Sequence, residues 1–203
     1  MSKVMIASKT ETITRIIACA VFRPVITHLE LENRFLHLGV TYLPSNLHMN
    51  THKLRSYVLR RIARARREGE RVICLYGDCF PDIEAVCQQR HVIKVPGSHC
   101  YEMLLGSNRF NQLINQTAGT FFLEKDLILG FDEFCLRPLE LYDKEMRKCC
   151  FEHYQRLLYV RQPSDPNLKY QAAELAEFLE LSLEVADADY SHLEQILTGL
   201  IQT

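Results

Sequence analysis

The chain has 203 residues, 47% of them hydrophobic, enough to bury the core of one domain or of two small lobes. Lys and Arg number 24 and Asp and Glu 25, a net charge of −1, which leaves no broad basic field to attract nucleic acid or an anionic membrane. No apolar stretch reaches the roughly 18 residues of a membrane span, and the start MSKVMIASKTETITR lacks the apolar region of a secretory signal, so the expected setting is cytoplasmic, with reduced cysteines.

Residues 1–12 are polar and mixed and are expected to be flexible. The run RIIACAV (15–21) suits a buried strand, and residues 22–31 a helix with Pro24 in its first turn. FLHLGVTYL (35–43) reads as a second strand, broken by Pro44, Ser45 and Asn46. Residues 52–68 are the clearest helix: Leu54, Val58 and Ile62 recur at helical spacing, Thr51 is the expected N-cap and Gly69 the stop. Its arginines Arg60, Arg61, Arg64, Arg66 and Arg67 read as a solvated face.

RVICLY (71–76) is a third strand entering the turn Gly77-Asp78-Cys79, and Pro81 opens a helix to Arg90. HVIKV (91–95) is a fourth strand, followed by Pro96-Gly97-Ser98-His99-Cys100 and a helix over 101–115. GTFFL (119–123), LLYVR (157–161) and residues 181–186 complete the strands, with helices over 126–134, 143–155, 168–179 and 191–200. Strands that alternate with helices predict a three-layer α/β fold, with a mostly parallel sheet and helical crossovers, or two Rossmann-like lobes. Residues 13–140 form the Cys-containing part. Residues 141–203 pack on the same sheet or form a second lobe.

In an open parallel sheet, ligands bind beyond the carboxyl ends of the strands. Cys19 lies near the end of the first strand, Cys79 just past the third and Cys100 just past the fourth. Three strand ends would then deliver three thiols to one edge, and His48, after the second strand, could reach it too. Soft thiolates favour zinc or an iron–sulfur cluster, and a three-Cys set leaves one coordination position or one iron open. Against this stands the plain reading of a cysteine as core filler, the favoured one for Cys19 taken alone and for Cys74 in its strand, while Cys87, Cys135, Cys149 and Cys150 in helical patterns read as core or partly exposed. His99 is a ligand, a catalytic proton carrier or a turn residue. His48 and His52 share the start of one helix at i and i+4. The amides of Gly77, Gly97 and Ser98 precede helices and could accept an anionic cofactor group. No GxGxxG, P-loop or GxSxG motif is present.

The stretches IIACAV (16–21), LPSNLHMNTHKL (43–54), LYGDC (75–79), HCYEMLLGSNRF (99–110) and AGTFFLEKDLILGF (118–131) together resemble a family of uncharacterised proteins of anaerobes and some proteobacteria that carries only a domain-of-unknown-function label. Its genes are often found beside corrinoid methyltransferases and corrinoid-binding proteins. The resemblance covers about residues 14–134, and it matches the family's cysteines and histidine to Cys19, His48, Cys79 and Cys100. Two departures stand out: His99 replaces the family's usual Asp before the last cysteine, and the chain has no Trp where the family has a Gly-Trp pair. The resemblance implies a metal protein serving one-carbon or corrinoid-dependent methyl transfer, with a corrinoid protein or methyltransferase as partner. Two alternatives from other classes are a cysteine-nucleophile transferase or hydrolase, with Cys100 attacking and His99 or His48 as base, and a non-catalytic partner-binding module. A two-fold homodimer is the default assembly.

Overall fold

The computed structural model describes residues 12–203, so the segment expected to be flexible lies, apart from Thr12, outside the described residues. The protein is a three-layer α/β fold with two parallel sheets. The first contains β1 (Thr14–Cys19), β2 (Leu38–Leu43), β3 (Arg71–Leu75) and β4 (Ile93–Lys94), in the order β2-β1-β3-β4. The second contains β5 (Thr120–Leu123), β6 (Arg156–Arg161) and β7 (Ser182–Asp187), in that order. All five strand pairs are parallel.

The central strands show why. In β1, Ile16, Ile17 and Ala18 are fully buried, and in β6, Leu157, Leu158, Tyr159 and Val160 are. A strand covered on both faces reads as a continuous apolar run, and only helical crossovers supply that cover. Between β1 and β2 run α1 (Arg23–His28) and α2 (Leu31–Arg34), and between β2 and β3 runs α3 (Thr51–Arg67). Leu54, Val58, Ile62 and Ala65 of α3 are buried, at the spacing that puts them on one stripe. Its cap is Asn50 and not the expected Thr51: Asn50 Oδ1 accepts from Lys53 N at 2.9 Å, while Thr51 is the first helical residue. At its other end Gly69 takes φ +76°, and Gly69 N and Glu70 N bond back to Arg66 O and Ala65 O, a Schellman stop.

Later in the first sheet come α4 (Ile83–Gln89), α5 (Cys100–Leu105) and α6 (Ser107–Gln116). The single helix expected over 101–115 is two, because Gly106 at φ +78° and ψ 142° turns the chain between them. After β5 follow α7 (Lys125–Leu129), a π-turn at Asp132–Leu136 and α8 (Lys144–Phe151). Then α9 (Lys169–Phe178) connects β6 to β7, and α10 (Tyr190–Gln202) packs back on α5.

The sheets are locked to each other by buried polar groups. Gln162, 2% exposed, sits just past β6. Its Nε2 donates to Val21 O at 3.0 Å, and its Oε1 accepts from Tyr190 Oη at 2.8 Å. The second sheet thereby fixes the turn that follows Cys19. No described helix is long and apolar enough to cross a membrane.

Candidate functional site

In the order β2-β1-β3-β4 the chain winds one way from β1 to β2 and the other way from β1 to β3. The crevice beyond the carboxyl ends of β1 and β3 is therefore a switch point, where crossovers diverge and leave room for a ligand. A cavity of about 280 Å³ opens there. Cys19, Cys79, Cys100 and His48 all line it, together with Ser98 and His99. The expected convergence of strand-end residues is thus present.

Each thiol arrives by a different local device. Cys19 is the last residue of β1, before a 3-10 turn over Ala20–Phe22. Cys79 ends the turn after β3, and Cys100 opens α5. The last two turns are stitched backbone to backbone, with Asp78 N donating to Ser98 O at 2.7 Å. Gly77 makes this approach possible, since a β-carbon there would collide with the Ser98 carbonyl and His99 Cα.

Burial dominates the electrostatics. It pushes the Cys19 thiol up to about 12 and the Cys79 thiol up to about 11, and it raises Cys100 well above the ordinary range. The three also sense one another: Cys79 raises Cys19, and both raise Cys100. Opposing this, a backbone N–H favours each ionised sulfur, from Val21 at Cys19, Gly77 at Cys79 and Tyr101 at Cys100. Among the described residues, no group of three or more His, Cys, Asp or Glu side chains stands ready-assembled around one ion position. The thiols share a wall, and gathering them round an ion requires them to close in.

His48 sits in the 3-10 turn Ser45–Met49, at the rim, with an edge open to solvent and a face stacked over Tyr76 (6.1 Å between centroids, 29°). Its Nδ1 lies 2.8 Å from Ser45 O. A carbonyl only accepts, so Nδ1 carries the proton. Partial desolvation lowers the His48 pKa, so the neutral ring presents the Nε2 lone pair. His99 is differently engaged, with Nδ1 2.9 Å from Ser98 Oγ and its ring stacked on Phe110. Of the expected anion-binding amides, Ser98 N donates to Glu102 Oε2 at 2.8 Å. Gly97, at φ +125°, has Met103 packed against its Cα and gives its carbonyl to Lys94 Nζ at 3.2 Å.

The opposite wall comes from the second sheet and went unassigned in the sequence. Glu124 follows β5, is 7% exposed and lines the cavity. Its Oε2 and Oε1 accept from Asp126 N and Leu127 N at 2.9 and 2.8 Å, capping α7. Burial raises its carboxyl to about 7. Its place at a strand end before a helix was a legible signal for an N-cap, though not for its burial beside the thiols. Leu127, Phe134 and Met49 make the remainder of the wall largely apolar, and among the described residues no Lys or Arg lines the cavity.

Of the other cysteines, only two are core fillers among the described residues. Cys74 and Cys87 are buried and hydrogen-bonded to each other, whereas Cys135 and Cys150 are half-buried and Cys149 is exposed. A family model described as "Protein of unknown function (DUF1638)" matches residues 42–197, a span that holds every residue lining the cavity except Cys19 and Val21. No curated protein and no solved structure matches the chain.

Proposed function

The chain belongs to the DUF1638 family of proteins of unknown function, and from that premise we propose that it holds a soft metal centre, zinc or an iron–sulfur cluster, on Cys19, Cys79 and Cys100. The observation that carries the reading is the meeting of these three thiols, from three separate strand ends, in one cavity at the switch point of the first sheet. The donor set fits in type: three sulfurs, each beside a backbone N–H that opposes the effect of burial and favours the anion, suit a thiophilic ion and would leave a position free for substrate. A bound centre of this kind activates a coordinated thiol or polarises a methyl donor, or, as a cluster, binds substrate or passes electrons.

The chain's own groups supply the surroundings. Leu127, Phe134 and Met49 exclude water, and His48 Nε2 accepts a proton at the rim. With no Lys or Arg among the described lining residues, the cavity favours neutral or cationic groups over phosphates and carboxylates. That fits the transfer of a methyl or other one-carbon group, with a corrinoid protein or methyltransferase as the partner. The nucleophile reading has less support. Burial holds all three thiols protonated at neutral pH, and His99 Nδ1 is turned to Ser98.

Protein purified without oxygen should carry about one metal centre per chain by elemental analysis, and a visible charge-transfer band would separate iron from zinc. Cys79→Ala and Cys100→Ala should each lose it. Full occupancy in both variants would reject the proposal.

A further inference from the structure

Glu124 stands just past β5, in the cavity wall across from the thiols, and is 7% exposed. Its two oxygens accept from Asp126 N and Leu127 N at the start of α7, which fixes the carboxyl in place. That cap does not account for the charge, since Ser, Thr or Asn would accept such bonds without one. Among the described residues no Lys, Arg or His pairs with it. The charged groups that act on it most, Asp126 and Asp165, are both negative. A carboxylate taken out of water needs an opposite charge, and here the protein supplies none.

The space beside Glu124 decides what form that charge takes. The cavity's volume of about 280 Å³ lies just under the usual range for small-molecule pockets, about 300–1,000 Å³, so the occupant is small. A hard metal cation takes about six oxygen ligands, which this largely apolar wall does not offer. The rings of Tyr101 and Phe134 line the same space, and Tyr101 gives its hydroxyl proton to Phe122 O at 3.3 Å. Aromatic rings beside a carboxylate are the chemistry that receives an organic ammonium group. We infer that the cavity binds a small organic cation, a protonated amine or a quaternary ammonium, with its positive nitrogen against the Glu124 carboxylate. A carboxylate has about four lone-pair positions, so positions remain beyond those the cap uses. As a statement about substrate the inference rests on the metal reading above; as a statement about binding it needs no metal, because the second sheet supplies this wall.

Isothermal titration calorimetry of the metal-free full chain at neutral pH tests this with probes of nearly one shape. Choline carries a quaternary nitrogen, dimethylaminoethanol a protonated nitrogen with an N–H, and neohexyl alcohol an uncharged carbon in the same place. The cations should bind about 10-fold tighter than neohexyl alcohol, the size of a desolvated charge-assisted or cation–π contact. Equal binding of the two cations identifies recognition by charge. Binding of dimethylaminoethanol alone identifies an N–H donated to the carboxylate, and binding of choline alone a site shaped for the quaternary nitrogen. Glu124→Gln keeps the side-chain length and an accepting oxygen for α7; it should lose the preference and bind neohexyl alcohol as before. The comparison of probes on the unaltered protein holds whether or not the variant folds. Cations that bind no tighter than neohexyl alcohol overturn the inference, and so does a preference that survives in Glu124→Gln. Either failure leaves the metal reading standing. A protein that prefers the cations yet takes up no metal keeps this inference and removes the metal reading.

Discussion

Glu124 illustrates how one side chain can set a pH dependence. Its carboxyl is desolvated, and the two backbone N–H bonds that favour its charge do not offset that, so it titrates at about 7 instead of 4.5. Below 4.5 the folded and unfolded chains both hold the proton. Between 4.5 and 7 only the folded chain does, so stability falls as pH rises through that window and levels off above 7. The loss amounts to about 3 kcal/mol at 1.36 kcal/mol per pKa unit. Urea unfolding of the metal-free protein against Glu124→Gln, from pH 4.5 to 7.5, should show this fall in the natural chain and lack it in the variant. Parallel curves would mean that Glu124 is not desolvated. At this scale the strand-end positions of the thiols were legible from the turns that follow them, although Cys19 is also buried in the core. Glu124 was not assigned, since its burial depends on what faces it.

The paired turns at 77–79 and 97–100 are the element that brings Cys79 and Cys100 together. Their joint is the Asp78 N to Ser98 O bond over Gly77. Gly77→Ala must push backbone away from backbone, which a flexible side chain cannot absorb. The expected cost is about 1–3 kcal/mol, the usual range for overpacking. More telling is the expected loss of metal uptake with near-normal far-UV circular dichroism, since the sheet lies beneath the joint. Unchanged uptake would show that the joint does not position the thiols. Element identity was well marked in the sequence, by apolar spacing in α3 and by apolar runs in β1 and β6. The edges were less so. β4 keeps two paired residues of the five expected, because His91, at φ +53°, and Val92, whose N–H bonds to Cys87 O, still belong to the end of α4. The break at Gly106 was hidden because a lone Gly fits inside a helical pattern as well as between two helices.

Across the whole molecule, Arg156 joins parts that are remote in the chain. It is 6% exposed. It donates to Leu113 O of α6 at 2.8 Å and to Thr120 Oγ1 of β5 at 2.9 Å, and it pairs with Glu184 of β7. Arg156→Met leaves the Leu113 carbonyl and Thr120 hydroxyl oxygens without their donor, while the exposed Glu184 is solvated, and should cost about 1–3 kcal/mol in urea unfolding, the range for a buried polar group left unpaired. Metal content should survive, because none of the partners lines the cavity. A variant as stable as the natural chain would show that this lock is dispensable. The sheet boundary itself, between β4 and β5, carried no linker or change of composition to announce it.

Local alternation of apolar runs with amphipathic helices, together with the strand-end position of Cys19, Cys79 and Cys100, was enough to determine a parallel α/β chain with its thiols at one edge. These are properties of short segments, set by side-chain period and by the steric demands of turns. Which strands pair, that two sheets form, and that Glu124 stands buried beside the thiols were decided only in the tertiary structure. The reason is physical: pairing partners and burial depend on groups distant in sequence, and nothing in a residue's own neighbourhood encodes what will lie against it.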